Sequence, residues 1–282
     1  MRLSFRDLLL FYRMTGKKTS GLRTLVYPVC AYFFSTAFAG KLLEPFIFIP
    51  FMLLCLLFYV FFFAVNDFFD YFTEGEKTGV GFLLQEKKVA KRSALFYSLA
   101  PAFLSIPLLP AFAPALLPII LYAVAAGYFY SAPPFRLRDK KYRFIITTVS
   151  FGFVLPFSML LALNFFSLEV FSLLLIFTLF QLHCELLHVL ADGDEPVKSF
   201  GRRKVVAALP VIQVSSILVS ALFVFFIHPI FLVTAIFSVS RLLALRRISV
   251  KTDFASLRRK VFSPIYSSQE LAFYALFGLL AL

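Results

Sequence analysis

Two short stretches of the sequence carry potential metal ligands at helical spacing. Each has three such side chains at positions i, i+3 and i+7, an interval that places them on one face of an α-helix. The first cluster consists of Asp67, Asp70 and Glu74, and the second of Glu185, His188 and Asp192. The matched spacing predicts two rows of ligand side chains, each on one face of a helix.

Like charges on one helical face repel one another and raise each other's pKa, unless a cation lies among them. A divalent metal would relieve this repulsion. Oxygen ligands favour Mg²⁺, which binds through one or two carboxylates together with substrate phosphates. The two clusters are therefore predicted to hold a diphosphate between them. The alternative is that each cluster is a solvated helix end whose acids pair with neighbouring Lys and Arg side chains.

Long apolar segments connect the charged segments and predict a membrane protein. Of the 282 residues, 61% are hydrophobic and 15% are charged, compared with about 45–50% and about 25% in soluble domains. About 20 apolar residues are needed for one membrane-spanning helix. Nine such segments are predicted, at 24–40, 46–66, 93–111, 114–131, 144–163, 168–190, 205–226, 230–245 and 264–282. Two of their boundaries divide longer apolar stretches, one in the proline-rich segment 107–118 and one at His228 and Pro229.

The distribution of basic residues gives the orientation of these segments. Of the 28 Lys and Arg residues, 27 lie in the N-terminal segment or in loops that nine spans place on the same side, and Lys41 alone lies opposite. Basic loops face the cytoplasm, so the N-terminus and both clusters are predicted to be cytoplasmic and the C-terminus outside. We predict an all-α bundle of one domain, 1–282, with residues 1–23 as a basic segment in the membrane interface.

The net charge of +13 is spread between the apolar segments. This distribution favours anionic lipid headgroups or phosphorylated substrates as partners and predicts no nucleic acid partner. The expected location is the cell membrane, with the site opening toward the cytoplasm.

The segment around the first cluster resembles the first motif of the UbiA superfamily of intramembrane prenyltransferases, NDxxDxxxD. Asn66, Asp67 and Asp70 match this motif, and Glu74 stands in place of its final Asp. A further family signature, a Tyr-Ser pair followed by prolines and basic residues, is matched by residues 130–138. The resemblance implies an all-α bundle of nine helices with a cytoplasmic N-terminus and a central cavity.

The second cluster departs from the family's second motif, DxxxD. Aligning the Lys-Ser pair at 198–199 with the family's Lys-Thr places Asp192 on the last Asp of the motif, His188 on the first and Glu185 on the acid before it. A rival register uses Asp192 and Asp194. Histidine suits Mn²⁺ or Zn²⁺ better than Mg²⁺, so Mn²⁺ is a second candidate metal. His188 also has an ordinary alternative role, a hydrogen bond between helices.

The resemblance implies an enzyme that transfers a prenyl group from a metal-bound isoprenoid diphosphate to a lipophilic acceptor through an allylic carbocation. Cations near the departing diphosphate would stabilise its growing negative charge. The expected metal ligands are Asp67, Asp70, Glu74, Glu185, His188, Asp192 and Asp194. The expected catalytic residues are Asp67, Asp70 and Tyr130, whose ring would orient the diphosphate or shield the carbocation. The expected substrate-binding residues are Asn66, Lys77, Lys87, Arg136, Arg138 and Lys198.

Two other classes of protein are compatible with the same pattern. A transporter would use the acids to coordinate a coupling cation, although such sites usually lie near the middle of the bilayer and not at helix ends. A catalytically inactive relative would bind lipid, diphosphate or a protein partner, and the altered second motif leaves this reading open. Replacement of Asp67 and Asp70 separates the three classes. An enzyme would lose product formation, a transporter would lose transport flux, and an inactive relative would tolerate both replacements.

Overall fold

The computed structural model describes residues 7, 25–39, 45–75, 79–86, 89–111, 116–193, 195–246, 248–249, 251–253, 270 and 272–276. Every regular element within these residues is helical, which confirms the all-α prediction. In chain order the α-helices are α1 (Val26–Ala39), α2 (Pro45–Glu74), α3 (Val80–Glu86), α4 (Lys91–Ser105), α5 (Leu117–Ser131), α6 (Arg143–Thr148), α7 (Leu155–Leu163), α8 (Leu168–Asp192), α9 (Glu195–Phe200), α10 (Arg202–Phe226) and α11 (Leu232–Leu245).

The helices pack into two compact units. The first unit comprises Met1–Val26 and Glu44–Arg138, and the second comprises Tyr27–Leu43 and Asp139–Leu282. The first cluster of acids therefore belongs to one unit and the second cluster to the other. The description of residues 1–282 as one domain stays a prediction, and residues 1–23 lie outside the described residues apart from Asp7.

In the first unit, α2 packs against α4 and α5. The end of α2 nearest the acids is covered by an apolar core whose buried members are Ala64, Phe68, Val80, Leu83 and Ala94. Gly127 lets α5 approach α2 closely, because a Cβ atom at this position would lie 2.7 Å from ring atoms of both Phe61 and Phe62. One helical turn beyond this approach, Ser131 of α5 comes opposite Asn66 of α2.

In the second unit, α8 is the most buried long helix. Ser167 caps its first turn by accepting a hydrogen bond from the Val170 amide, and Gly193 ends it in the left-handed conformation that favours glycine. A π-helical segment, Val149–Val154, joins α6 to α7 and packs against α8. The approach is tight, because a Cβ atom at Gly152 would lie 2.9 Å from Gln181 Cβ and from Thr178 Cα.

Helices α10 and α11 form a helical hairpin in the second unit. The chain leaves α10 at Phe226, and His228 begins a short 3₁₀ turn, Pro229–Phe231, that leads into α11. The predicted boundary at His228 and Pro229 is therefore confirmed. The boundary predicted in the proline-rich segment 107–118 is confirmed too, since α4 gives way to a 3₁₀ helix at Ile106–Ala111 before α5 begins.

A buried ion pair connects α11 to the last described helical segment. Arg241 donates a hydrogen bond to Glu270, and both side chains are almost inaccessible to solvent. Thr234 donates to the same carboxylate at 2.7 Å and shares a further hydrogen bond with the Tyr274 hydroxyl. Arg241 is one of the 27 basic residues on the predicted cytoplasmic side, but it is a buried helical residue, so it is not a marker of the membrane surface.

Within the described residues, four helices are long and apolar enough to cross a membrane: α2, the continuous helix Arg143–Leu163, α8 and α10. Shorter apolar helices lie at Leu117–Ser131 and Pro229–Leu245. The first eight predicted spans each coincide with a described helix, whereas the ninth, 264–282, is described only at 270 and 272–276. The total number of spans and the sides on which the termini lie stay predictions.

Candidate active site

The acids at the end of α2 are buried. Asp67 and Asp70 are each 1% exposed, whereas the Glu74 side chain, one turn further on, is 46% exposed. A solvated helix end would expose all three carboxylates, so that part of the alternative reading does not describe Asp67 and Asp70. Its other part, pairing with basic side chains, does describe Asp70 and Glu74. Carboxylates buried at the end of an apolar helix are costly, and such residues are functional candidates for that reason.

Asn66 links the first cluster to α5. Its side-chain amide nitrogen donates a hydrogen bond to Asp70 Oδ2 at 2.6 Å, and its amide oxygen accepts one from Ser131 Oγ at 3.1 Å. Ser131 thereby orients Asn66, and Asn66 orients the Asp70 carboxylate. The Tyr-Ser signature and the first motif, which are 65 positions apart, thus meet at one hydrogen bond.

The loop after α5 brings Arg136 onto the same carboxylates. Arg136 has a φ of 37°, a left-handed conformation that is uncommon for residues other than glycine. Its Nη2 atom lies 3.0 Å from Glu74 Oε1 and 3.9 Å from Asp70 Oδ1. Backbone conformations of this kind cost about 1–3 kcal/mol and persist at functional sites where the surrounding contacts hold them.

Arg138 contacts three side chains of the first motif at once. Its Nη1 atom donates hydrogen bonds to Asp70 and, at 3.3 Å, to Asn66 Oδ1, and its Nη2 atom lies 3.1 Å from Glu74 Oε1. Burial tends to lower the pKa of Arg138, but the carboxylates of Asp70 and Glu74 outweigh burial, and the pKa lies above its ordinary value. Arg138 is therefore charged and bound to the acids that the sequence predicts as metal ligands.

The three carboxylates of the first cluster and the two guanidinium groups of Arg136 and Arg138 add up to a formal net charge of −1. A diphosphate by itself would be repelled by the carboxylates, whereas a divalent cation would be attracted to them. The donors are hard oxygen atoms, which suit Mg²⁺ or Mn²⁺. The carboxylates of Asp67 and Asp70 with the amide oxygen of Asn66 therefore fit such a metal.

No three His, Cys, Asp or Glu side chains converge closely enough to hold a metal anywhere in the described part of the chain. At the end of α2, Asp70 and Glu74 instead contact the guanidinium group of Arg138. Because Mg²⁺ commonly uses only one or two protein carboxylates, this arrangement is compatible with a metal site that substrate phosphates complete. The complete set of seven ligands stays a prediction.

The second cluster lies at the end of α8, and its members are partnered differently. His188 Nε2 and Asp192 Oδ2 are 2.6 Å apart, and both side chains are well exposed. Glu185, one turn earlier, accepts a hydrogen bond from Gln181 Nε2 at 2.9 Å. His188 therefore binds a neighbour on its own helix, unlike the bond between helices that was its alternative role.

The other predicted site residues are less constrained. Tyr130 is half-buried in the last turn of α5. It lies near enough to Arg138 to contribute to the raised pKa of that guanidinium group. Lys198 is exposed on α9, and its ammonium nitrogen is 4.0 Å from Glu195 of the same helix. Lys77, Lys87 and Asp194 lie outside the described residues.

Three residues that were not predicted as site residues, Ser131, Gln181 and Tyr27, act on the predicted acids directly or through one neighbour. Ser131 belongs to the quoted Tyr-Ser signature, so its place in a motif was a signal. Gln181 precedes Glu185 by four residues, a spacing that puts both on one helical face. Tyr27 gives no signal in the sequence, because it reaches Gln181 from 154 positions away.

The fold and the site together define an all-helical integral membrane protein whose buried carboxylates at the end of a long apolar helix pair with two arginines. No protein-family model matches the sequence, and no curated protein does. Solved structures do have this fold. A UbiA homologue from Archaeoglobus fulgidus aligns with a TM-score of 0.74 and 14% identity over 98% of both chains.

Two further solved structures give the same result. The Archaeoglobus fulgidus homologue bound to DMAPP and Mg²⁺ has a TM-score of 0.71 at 14% identity, with coverage of 98% of this chain and 100% of that one. A structure from work on digeranylgeranylglyceryl phosphate synthase in membranes has a TM-score of 0.69 at 14% identity. The alignment covers 97% of this chain and 98% of that one. The chain thus has the UbiA fold, and the resemblance drawn from the motifs is confirmed at the level of the fold.

Proposed function

We propose that this protein is an intramembrane prenyltransferase that transfers a prenyl group from an isoprenoid diphosphate to a lipophilic acceptor. The observation that carries the proposal is the pair of buried carboxylates at the end of α2, Asp67 and Asp70. Of the two, Asp70 accepts a hydrogen bond from Asn66 and is faced by Arg136 and Arg138. Hard oxygen donors beside two guanidinium groups suit a metal-bound diphosphate. The fold supports the proposal, since structures of the UbiA homologue have been solved with DMAPP and Mg²⁺ and with GPP and Mg²⁺.

In the proposed reaction, the carbon–oxygen bond between the prenyl group and the diphosphate breaks, and both electrons stay with the diphosphate. The resulting allylic carbocation is attacked by a nucleophilic atom of the acceptor, which then loses a proton. Asp67 and Asp70 would hold Mg²⁺, which when bound would supply Lewis-acid stabilisation of the departing diphosphate.

The arginines have two roles in this proposal. Without substrate, Arg136 and Arg138 pair with Glu74 and with the buried Asp70. When the diphosphate is bound, the two arginines replace their hydrogen bonds to carboxylate oxygens with hydrogen bonds to phosphate oxygens. A guanidinium group can bind either kind of oxygen in the same bidentate geometry. Asn66 and Ser131 keep the Asp70 carboxylate oriented during this exchange. Roles for Tyr130, Lys77, Lys87 and Lys198, a cytoplasmic opening and a location in the cell membrane are parts of the proposal taken from the sequence.

The test is a prenyl transfer assay on purified protein in lipid nanodiscs. Radiolabelled geranylgeranyl diphosphate, Mg²⁺ and a panel of lipophilic acceptors are supplied, and both prenylated product and released diphosphate are measured. We expect metal-dependent product from the wild type and a loss of at least about a hundredfold in Asp67→Asn/Asp70→Asn, because the metal and the leaving group lose their ligands.

The matched control is Glu86→Gln, which removes an exposed carboxylate of the same unit at the end of α3. This variant is expected to keep full activity. Product formation that survives unchanged in Asp67→Asn/Asp70→Asn would refute the proposed site.

A second candidate function is diphosphate binding without transfer. The observation in its favour is the His188–Asp192 pair, which engages two members of the altered second motif with each other. Such a protein would bind geranylgeranyl diphosphate in a metal-dependent manner in the same nanodiscs and yield neither product nor released diphosphate with any acceptor.

A further inference from the structure

A chain of two hydrogen bonds leads from α1 to the first acid of the second cluster. The Tyr27 hydroxyl donates to Gln181 Oε1 at 2.7 Å, and Gln181 Nε2 donates to Glu185 Oε1 at 2.9 Å. Tyr27 and Gln181 are buried, at 4% and 6% exposure, while Glu185 is half-buried. All three residues belong to the second unit.

The direction of this chain is fixed by its chemistry. A phenol donates its single proton to the amide oxygen, so the amide nitrogen is left pointing at the carboxylate. A carboxylate can only accept, so Gln181 is held in one of its two amide orientations from both ends. Tyr27 thus acts on Glu185 through Gln181.

The surroundings of Gln181 leave it little room to move. The Tyr27 ring makes edge contacts with Phe177 and Phe180, at centroid distances of 5.3 and 6.2 Å. On another side, Gly152 of the π-helical segment Val149–Val154 packs against Gln181. A Cβ atom at Gly152 would lie 2.9 Å from Gln181 Cβ. π-Helical turns are rare and are frequent at functional sites. The amide is therefore packed into place as well as hydrogen-bonded.

The partners of Glu185 are neutral, and this distinguishes it from the first cluster. Asp70 and Glu74 face guanidinium groups, whereas Glu185 Oε1 accepts only from an amide, and Oε2 has no partner among the described residues. An amide donor stabilises the ionised carboxylate without cancelling its charge. Glu185 therefore has one oxygen fixed by an uncharged donor and the other available to a cation.

We propose that Tyr27 and Gln181 are positioning residues that hold Glu185 ready to bind a divalent cation. The inference rests on the proposed function, because it takes Glu185 to be one of the metal ligands. Partners that orient a metal ligand typically contribute about 10–100-fold to metal affinity. The proposal therefore predicts an effect on metal binding itself, which is measurable without catalysis.

The experiment measures the affinity of the full-length protein for Mn²⁺, in nanodiscs and without diphosphate, by electron paramagnetic resonance. Glu185→Gln removes the ligand, and Gln181→Met removes the amide donor with little change of shape. We expect Gln181→Met to weaken Mn²⁺ binding about tenfold, and Tyr27→Phe to weaken it less but in the same direction. The double variant Tyr27→Phe/Gln181→Met is expected to bind no more weakly than Gln181→Met alone, because Tyr27 acts only through Gln181.

Gln213→Met is the matched control. Gln213 is a fully buried glutamine on α10 in the same unit, and neither atom of its amide has a hydrogen-bond partner within the described structure. Its replacement is expected to leave Mn²⁺ affinity unchanged. Thermal unfolding of each variant shows whether it is folded, and Mn²⁺ affinities are compared among the folded variants.

The outcomes separate the inference from the proposed function. If Glu185→Gln weakens Mn²⁺ binding and Gln181→Met does not, the positioning role is wrong and the ligand role of Glu185 stands. If Glu185→Gln has no effect, both roles are wrong. The proposed function is judged independently by product formation and by Asp67→Asn/Asp70→Asn. Additive effects of Tyr27→Phe and Gln181→Met would also overturn the inference.

Discussion

Arg138 contacts the same oxygen atoms that a cation at the end of α2 would use. It reaches Asn66, Asp70 and Glu74, so metal binding in the absence of diphosphate competes with a guanidinium group. We expect Arg138→Gln to bind Mn²⁺ about tenfold more tightly than the wild type, since a positive charge beside the metal is removed. The same variant is expected to bind geranylgeranyl diphosphate more weakly, because it has lost a phosphate ligand.

Two companion variants make this prediction specific to position. Arg136→Gln removes the same charge, but Arg136 approaches Glu74 more closely than Asp70, so its effect on Mn²⁺ affinity should be smaller. Arg138→Lys keeps the charge and should stay close to the wild type. Weaker Mn²⁺ binding by Arg138→Gln would contradict the view that Arg138 occupies the metal-binding oxygens.

At the residue scale, the sequence predicted which side chains are candidates but not what they contact. Helical spacing placed Asp67, Asp70 and Glu74 on one face, and this follows from α-helix geometry alone. The partners of these acids come from a loop more than 60 positions later, and no periodicity encodes such a contact. The arginines were predicted to bind phosphate, yet in this structure they bind the acids.

At the scale of helices, Gly152 sets how closely the π-helical segment approaches α8. A Cβ atom there would lie 2.9 Å from Thr178 Cα and 3.0 Å from the Phe177 carbonyl oxygen, and backbone atoms cannot rotate away. We expect Gly152→Ala to destabilise the protein by about 1–3 kcal/mol, the usual cost of overpacking. The measurement is the midpoint of thermal unfolding in one detergent.

Gly127→Ala is the comparison for this prediction. The Cβ atom that this substitution adds would meet ring atoms of Phe61 and Phe62, and side chains can shift where backbone cannot. The substitution is therefore expected to lower the unfolding midpoint less than Gly152→Ala does. Equal stability of Gly152→Ala and the wild type would show that the two helices separate at little cost.

The helices themselves were largely predictable, because apolar segments of about 20 residues are a strong signal. Proline residues correctly indicated both boundaries within longer apolar stretches, the one in segment 107–118 and the one at His228 and Pro229. Proline lacks the amide proton that a continuing helix needs. The π-helical segment Val149–Val154 was not predicted. Its extra residue per turn is imposed by packing against α8 and leaves no mark in hydropathy.

At the scale of the whole molecule, the unexpected feature is a buried charge pair far along the chain from both clusters. Glu270 lies within the predicted span 264–282, where a lone carboxylate in an apolar helix would be costly. The structure supplies its counterion, Arg241, together with a hydrogen bond from Thr234. Pairing of this kind depends on which helices are neighbours, and hydropathy does not contain that information.

The Arg241–Glu270 pair joins the last described helical segment to α11, so it is expected to govern how firmly that segment is held. Removing one partner leaves a buried charge without its counterion, and Arg241→Met or Glu270→Gln should each cost about 3–5 kcal/mol of unfolding free energy. The double variant Arg241→Met/Glu270→Leu removes both charges and is expected to recover most of that loss. Unfolding midpoints in one detergent, compared with the surface control Lys198→Met, measure the effect. A double variant as unstable as the worse single variant would mean that the pair acts through a polar contact other than its own ion pair, with the Thr234 and Tyr274 hydroxyls as the nearest candidates.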